Sequence, residues 1–238
     1  MRCTAWTRRG GRVEGTMTRI LIGCLSGWQM WQRRQRCLET WWRDVEMHAQ
    51  RTGGLDAVFA LGVPEVLRPE RQGNCLFLPC PNDYPFLPSR IRWLCRWALD
   101  EPLAWDYLFK TDDDVRLDVD RLAAYELANA DYCGHGMELH DGWGHDTAGR
   151  KIKAKMKLYA SGCGYFLSRR AAAIVAERFA ADRIEQGAED LLVGQVLREA
   201  GIQLTVDNAR FHVLAKAGEE PGPANAWIYS SPAEREPE

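Results

Sequence analysis

Short apolar runs and amphipathic stretches take turns along the middle of the chain. Arg19-Ile-Leu-Ile-Gly-Cys-Leu25 is apolar on both strand faces and stops at Ser26-Gly27, the pattern of a buried parallel strand. Leu38, Trp41, Trp42, Val45 and Ala49 then recur at helical spacing as far as Gly53-Gly54. Asp56–Leu61 and Cys75–Leu78 predict the second and third strands. Ile91, Leu94, Cys95 and Ala98 predict a helix, and Trp105–Phe109 a fourth strand that runs into Lys110-Thr-Asp-Asp-Asp-Val115. Such alternation implies an α/β fold with a mainly parallel central sheet covered on both faces. Ligands of these sheets bind beyond the carboxyl ends of the strands, where the triple aspartate falls.

The second half is less regular. Asp131–His135 reads as a short strand and Gly164–Leu167 as another. Lys151, Lys153, Lys155 and Lys157 alternate with Ile152, Ala154, Met156 and Leu158, the period of two of a half-buried strand. Apolar stripes predict helices around 169–181 and 188–200, and Ile202–Val206 closes the series.

The ends differ from the middle. Residues 1–16 are Arg- and Gly-rich without apolar periodicity, and 215–238 are rich in Gly, Pro and Glu, so both read as tails around a single domain over 17–214. The chain has 238 residues, 46% apolar and 27% charged, enough for a core of ordinary composition. Its formal charge of −2 does not advertise a nucleic acid or a membrane as partner. With no apolar run of spanning length and no secretory signal, a cytoplasmic location without a transmembrane anchor is expected. The 8 cysteines contain no Cys-x-x-Cys pair, which suits buried free thiols in a reducing compartment. The 10 tryptophans fit either core packing or stacking on sugar rings.

Asp112-Asp113-Asp114 is the sharpest local feature. Adjacent carboxylates repel one another, so a fold that gathers them can hold a cation there, and hard oxygen ligands suit Mg²⁺ or Mn²⁺. A solvated acidic turn is the alternative. A dehalogenase-type phosphatase would need Thr or Val where Arg116 stands.

Several blocks, taken in order, resemble the glycosyltransferases of family 31, the β1,3-galactosyl-, β1,3-N-acetylglucosaminyl- and Fringe-type enzymes. Ile20–Ser26 followed by Arg33-Arg-Gln-Arg-Cys-Leu-Glu-Thr-Trp41 is similar to the family's opening strand and RRxxIRxTW helix. Asp83-Tyr84 to Arg96-Trp97 resembles its DxYxNLTxKT…RW segment, and Phe109–Val115 its KxDDDVF motif. Tyr159–Ser168 is similar to YxSGxGYxLS, and Glu189–Gly194 with Gly201-Ile202 to EDVYVGxCLxxxGI. The family Asn is Phe86 here, its Lys is Arg90, and Leu191 replaces a Val.

This resemblance implies a GT-A-type, Rossmann-like domain and a metal-dependent inverting transfer from a UDP-sugar to a glycan hydroxyl, forming a β1,3 linkage. It implies Asp190 as base, and Asp114 with His212 as ligands of Mn²⁺ or Mg²⁺. Asp112 and Asp113 would meet the ribose and the outer shell of the metal. Ser26, Arg34, Arg90 and Lys110 would contact the nucleotide, and Gly162 and Gly164 would let the backbone approach the donor sugar. Cys133, His135, His140 and His145 suit either a zinc site or a loop near the acceptor, where Trp143 could stack on a sugar. The four lysines over 151–157 with the Arg-rich start leave a second class open, a non-catalytic sugar- or nucleic-acid-binding domain.

Overall fold

The computed structural model describes residues 18–102, 104–138, 143–145, 151–153, 158–213 and 228–230. A central sheet of eight strands is formed by β1 (Ile20–Leu25), β2 (Leu55–Gly62), β3 (Glu70–Gln72), β4 (Cys75–Leu78), β5 (Tyr107–Asp112), β7 (Tyr132–Glu138), β10 (Leu158–Ser168) and β11 (Thr205–Val206). Their spatial order is β11-β7-β10-β5-β1-β2-β4-β3. β1 pairs in parallel with β2 and β5, β2 with β4 and β7 with β11, while β10 runs antiparallel to β5 and β7, and β3 to β4. The sheet is thus mostly parallel, in a mixed α/β fold.

Alternation along the strands sends side chains to two separate cores. Ile20, Ile22, Cys24, Phe59, Phe109 and Phe166 face one side, covered by α1 (Trp31–Glu39), α2 (Trp41–Thr52) and α4 (Val119–Ala123). Leu21, Leu25, Val58, Ala60, Leu108, Tyr165 and Leu167 face the other, under α3 (Leu87–Asp100), α5 (Arg169–Ala181) and α6 (Glu189–Glu199). Every residue of β1 is buried, as its unbroken apolar run requires. Tryptophans account for much of the first core: Trp42 stacks on Phe59 with centroids 4.2 Å apart, and Trp41 Nε1 donates to the Val115 carbonyl at 3.1 Å.

Two smaller sheets complete the described structure. β6 (Val115–Leu117), β12 (Phe211–Val213) and β13 (Ile228–Ser230) form one, and β8 (Trp143–His145) with β9 (Lys151–Lys153) the other. β13 falls within the segment 215–238, and its backbone pairs with β12 on one edge and β6 on the other. The expected lysine-rich strand is found only over 151–153, with 154–157 outside the described residues. The helix expected across 38–49 is two helices that meet at Thr40, whose hydroxyl donates back to the Arg36 carbonyl at 2.7 Å. The basic segment 1–16 lies outside the described residues.

Glycines let the elements nearest the candidate site approach closely. A Cβ on Gly62, at the end of β2, would lie 2.4 Å from the Pro81 carbonyl oxygen, and backbone cannot swing away as a side chain can. The loop it packs against carries Asn82, which accepts from the Trp28 N–H at 2.8 Å and so shapes the turn after β1. Gly62→Ala is therefore expected to destabilise the fold by about 1–3 kcal/mol, read from urea unfolding midpoints.

Candidate active site

β1 and β5 lie side by side in register, so their carboxyl ends present Leu25-Ser26 beside Asp112-Asp113. Ser26 is buried and its hydroxyl donates to Asp113 Oδ2 at 2.6 Å. Arg33, at the start of α1, places its guanidinium 3.5 Å from Asp113 and 3.9 Å from Asp114. The Cys37 thiol, one helical turn on, meets the Asp113 carbonyl at 3.3 Å. Asp113 is consequently a framework residue. Burial pushes its carboxyl above the ordinary range, and Ser26 and Arg33 pull it back. Asp114 is more open than Asp113, with 15% of its side chain exposed.

A buried charge cluster lies behind the acids. β5 extends to Asp112, past the expected end at Phe109, and it carries Lys110 to the core under α6. Lys110 is 1% exposed; its ammonium lies 2.9 Å from Asp112 Oδ1 and 3.1 Å from Glu189 Oε2. It also donates to the Gly162 carbonyl at 2.5 Å. Glu189 is buried in turn and accepts from the Tyr165 hydroxyl. Burial lowers the affinity of Lys110 for its proton, but the two carboxylates outweigh it and hold the ammonium charged.

Asp190 follows Glu189 in the first turn of α6. Its Oδ1 accepts from the Leu191 N–H at 2.8 Å and its Oδ2 from the Gly162 N–H at 3.0 Å. Burial, and then the neighbouring Glu189 charge, push its carboxyl up to about 6. Asp112 is pushed up to about 7, first by burial, with Asp114 and Glu189 adding to the shift against the pull of Lys110. Tyr84, in the short helical turn before α3, is exposed and lies within electrostatic reach of Asp112 and Asp190. The Pro85 carbonyl ties that turn to the entry of α6 by accepting from the Gly187 N–H at 3.1 Å.

Several residues expected to meet the nucleotide make hydrogen bonds within the framework. Arg90 is buried and donates to the carbonyls of Ser26, at 2.8 Å, and Asn82. Arg34 donates to the Ser26 hydroxyl at 3.0 Å and to the carbonyls of Gly27 and Trp28, holding the turn after β1. Lys110 has its three protein acceptors. A Cβ on Gly164 would meet the Phe109 ring at 2.8 Å, so that glycine permits core packing. Gly162 faces Asp190 and Lys110, with a hypothetical Cβ 3.3 Å and 3.6 Å from their polar atoms. Cys133 is buried against the Tyr125 hydroxyl at 3.3 Å, and His140 lies outside the described residues.

Among the described residues no group of three or more His, Cys, Asp or Glu side chains forms a ready metal site. The chemistry of the acid triplet nevertheless fits a divalent cation. Asp112 and Asp114 crowd negative charge at a strand end, and Mg²⁺-type ions commonly take one or two carboxylates with substrate phosphates completing the shell. Topology also relates the two expected ligands. His212 lies in β12, which pairs with β13, and β13 pairs with β6, the strand that begins immediately after Asp114.

Arg33, Glu189 and Tyr165 stand in the quoted motifs with no site role assigned to them. The signal for the second was present. A lysine one position after Leu108-Phe109, in a strand apolar on both faces, requires a buried acid to face it.

An acidic strand end at the carboxyl edge of a mostly parallel central sheet, in a mixed α/β chain, is the architecture of GT-A-like folds. The chain belongs to the galactosyltransferase family: the family model described as Galactosyltransferase matches residues 32–208. It is accordingly a glycosyltransferase by family. No curated protein matches its sequence closely enough to count as a relative. Among solved structures, a glycosyltransferase involved in glycosylation of the major capsid of PBCV-1 is similar at 11% identity and a TM-score of 0.48, over 89% of this chain and 94% of that one. The inositol-1-phosphate CTP transferase from T. maritima is similar at 10% identity and a TM-score of 0.47, over 93% of each chain. Among the described residues no helix is long and apolar enough to cross a membrane.

If Asp113 is a framework residue, removing its hydroxyl partner leaves a buried carboxylate short of a donor. Ser26→Ala should cost about 1.5–3 kcal/mol of stability, with the circular-dichroism spectrum unchanged.

Proposed function

We propose that the protein is a metal-dependent, inverting glycosyltransferase that moves a hexose or N-acetylhexosamine from a UDP-sugar to an acceptor glycan hydroxyl, forming a β1,3 linkage. The observation that supports it best is the convergence of the acid triplet and Asp190. Residues far apart in sequence meet at one end of β5, one group suited to a cation and the other to a proton.

Asp190 takes the proton of the acceptor hydroxyl as that oxygen forms its bond to the anomeric carbon. The bond from that carbon to the diphosphate oxygen breaks with its electron pair, so attack and departure on opposite faces invert the centre. A carboxyl titrating at about 6 is ionised at neutral pH yet basic enough to accept a proton in the transition state. Asp114 and His212 would hold Mn²⁺ or Mg²⁺, whose charge would offset that of the departing diphosphate. Arg33, beside Asp113 and Asp114, is the cation of this chain placed to assist at the same position. Tyr84, exposed and close to Asp190, offers a ring on which an acceptor sugar can stack.

Asp190→Asn keeps shape and hydrogen bonding but removes the proton acceptor, so turnover should fall about 10²–10⁴-fold with UDP affinity unchanged. In the native protein the group must be ionised to act. The rate should therefore fall as pH drops through about 6 and level off above it, as measured by sugar transfer across a pH series. Asp114→Ala should abolish Mn²⁺-dependent transfer while the fold persists. Full transfer in excess chelator would refute the metal assignment.

A further inference from the structure

Besides the Leu191 N–H on its Oδ1, Asp190 has two connections that lead to the same ammonium. Through the chain it is joined to Glu189, whose carboxylate is 3.1 Å from Lys110 Nζ. Through space it accepts from the N–H of Gly162, whose carbonyl accepts from Lys110 Nζ. Glycine has the least restrained backbone torsions of any residue, so holding its carbonyl matters for where its N–H points. The third hydrogen of the ammonium goes to Asp112 Oδ1 at 2.9 Å. All three donors are thus occupied, at 1% exposure, and none is available to a nucleotide.

We propose that Lys110 is a positioning residue. By gripping Glu189 at the start of α6 and Gly162 in β10 together, it fixes the Asp190 carboxylate in the orientation that accepts the proton of the incoming hydroxyl. This rests on the reading of Asp190 as the base. It differs from a phosphate-contact role, in which the lysine would set donor affinity.

The groups that face Asp190 are Glu189 on its own helix, Lys110 from β5, Tyr132 from β7, Tyr159 and Cys163 from β10, and Tyr84 ahead of α3. Of these, Lys110 is the cation that favours the ionised carboxylate, and Glu189 opposes it. Removing one or the other moves the Asp190 titration in opposite directions.

The test compares Lys110→Met, Glu189→Gln and the double variant K110M/E189Q with the native protein. Lys110→Met leaves two carboxylates facing each other in the core. If it fails to fold, the double variant, which removes one charge of each sign, carries the turnover arm. Turnover should fall about 100-fold in Lys110→Met and in the double variant, as expected for a misplaced reacting group, with UDP affinity in Mn²⁺ unchanged. Carbon-13 titration of the Asp190 carboxyl should give a midpoint that rises in Lys110→Met and falls in Glu189→Gln. Donor affinity that drops in step with turnover, or turnover that does not change, overturns the proposal. If the native protein transfers no sugar from any UDP-sugar, the functional reading fails by itself. The carboxyl titration then decides the positioning role, and Asp190 midpoints that neither substitution moves overturn it.

Discussion

One buried ammonium organises the centre of this protein. An unpaired charge in a core is too costly to keep, so the presence of Lys110 in a strand apolar on both faces obliges carboxylates to meet it. Asp112 arrives two residues along the same strand, on the same face. Glu189 arrives from a helix near the other end of the chain, which fixes where α6 begins relative to the end of β5. The antiparallel pairing of β10 with β5 brings Gly162 to the same place, since Tyr165 is in register with Lys110. The acid triplet and Asp190 are neighbours because this pairing must be satisfied.

The same constraint divides the aspartates by task. Asp112 is drawn to Lys110 and Asp113 to Ser26 and Arg33, which leaves Asp114 the more open of the last two acids. Asp190 is held by two backbone donors and raised by burial into the range where a carboxylate can both ionise and accept a proton. Membership of the galactosyltransferase family supplies the reaction class in which such a division is useful.

Much of this was legible in the sequence, for reasons that differ by element. β4 falls at Cys75–Leu78, as its apolar run between turn residues indicated, and α6 begins beside the Glu-Asp pair as expected. Periodicity reads local burial well, and ordered motifs drew attention to Asp112–Asp114 and Asp190. Tertiary pairing was not legible. β5 continues through Lys110 to Asp112 because partners elsewhere neutralise polar residues that look like a strand's end. Likewise β10 begins at Leu158, ahead of the apolar run at Gly164, where pairing with β7 holds a less apolar segment. The framework bonds of Arg34, Arg90 and Lys110 were likewise not legible. Their carbonyl and carboxylate partners lie on other elements, and only the fold reveals them.

In the proposed function the acid triplet binds a nucleotide through a divalent cation. Calorimetric titration of the native protein with UDP, once with Mn²⁺ and once with chelator, tests it most directly. Saturable UDP binding is expected with Mn²⁺, and its loss in chelator. Equal affinity under both conditions, or no binding under either, would contradict it.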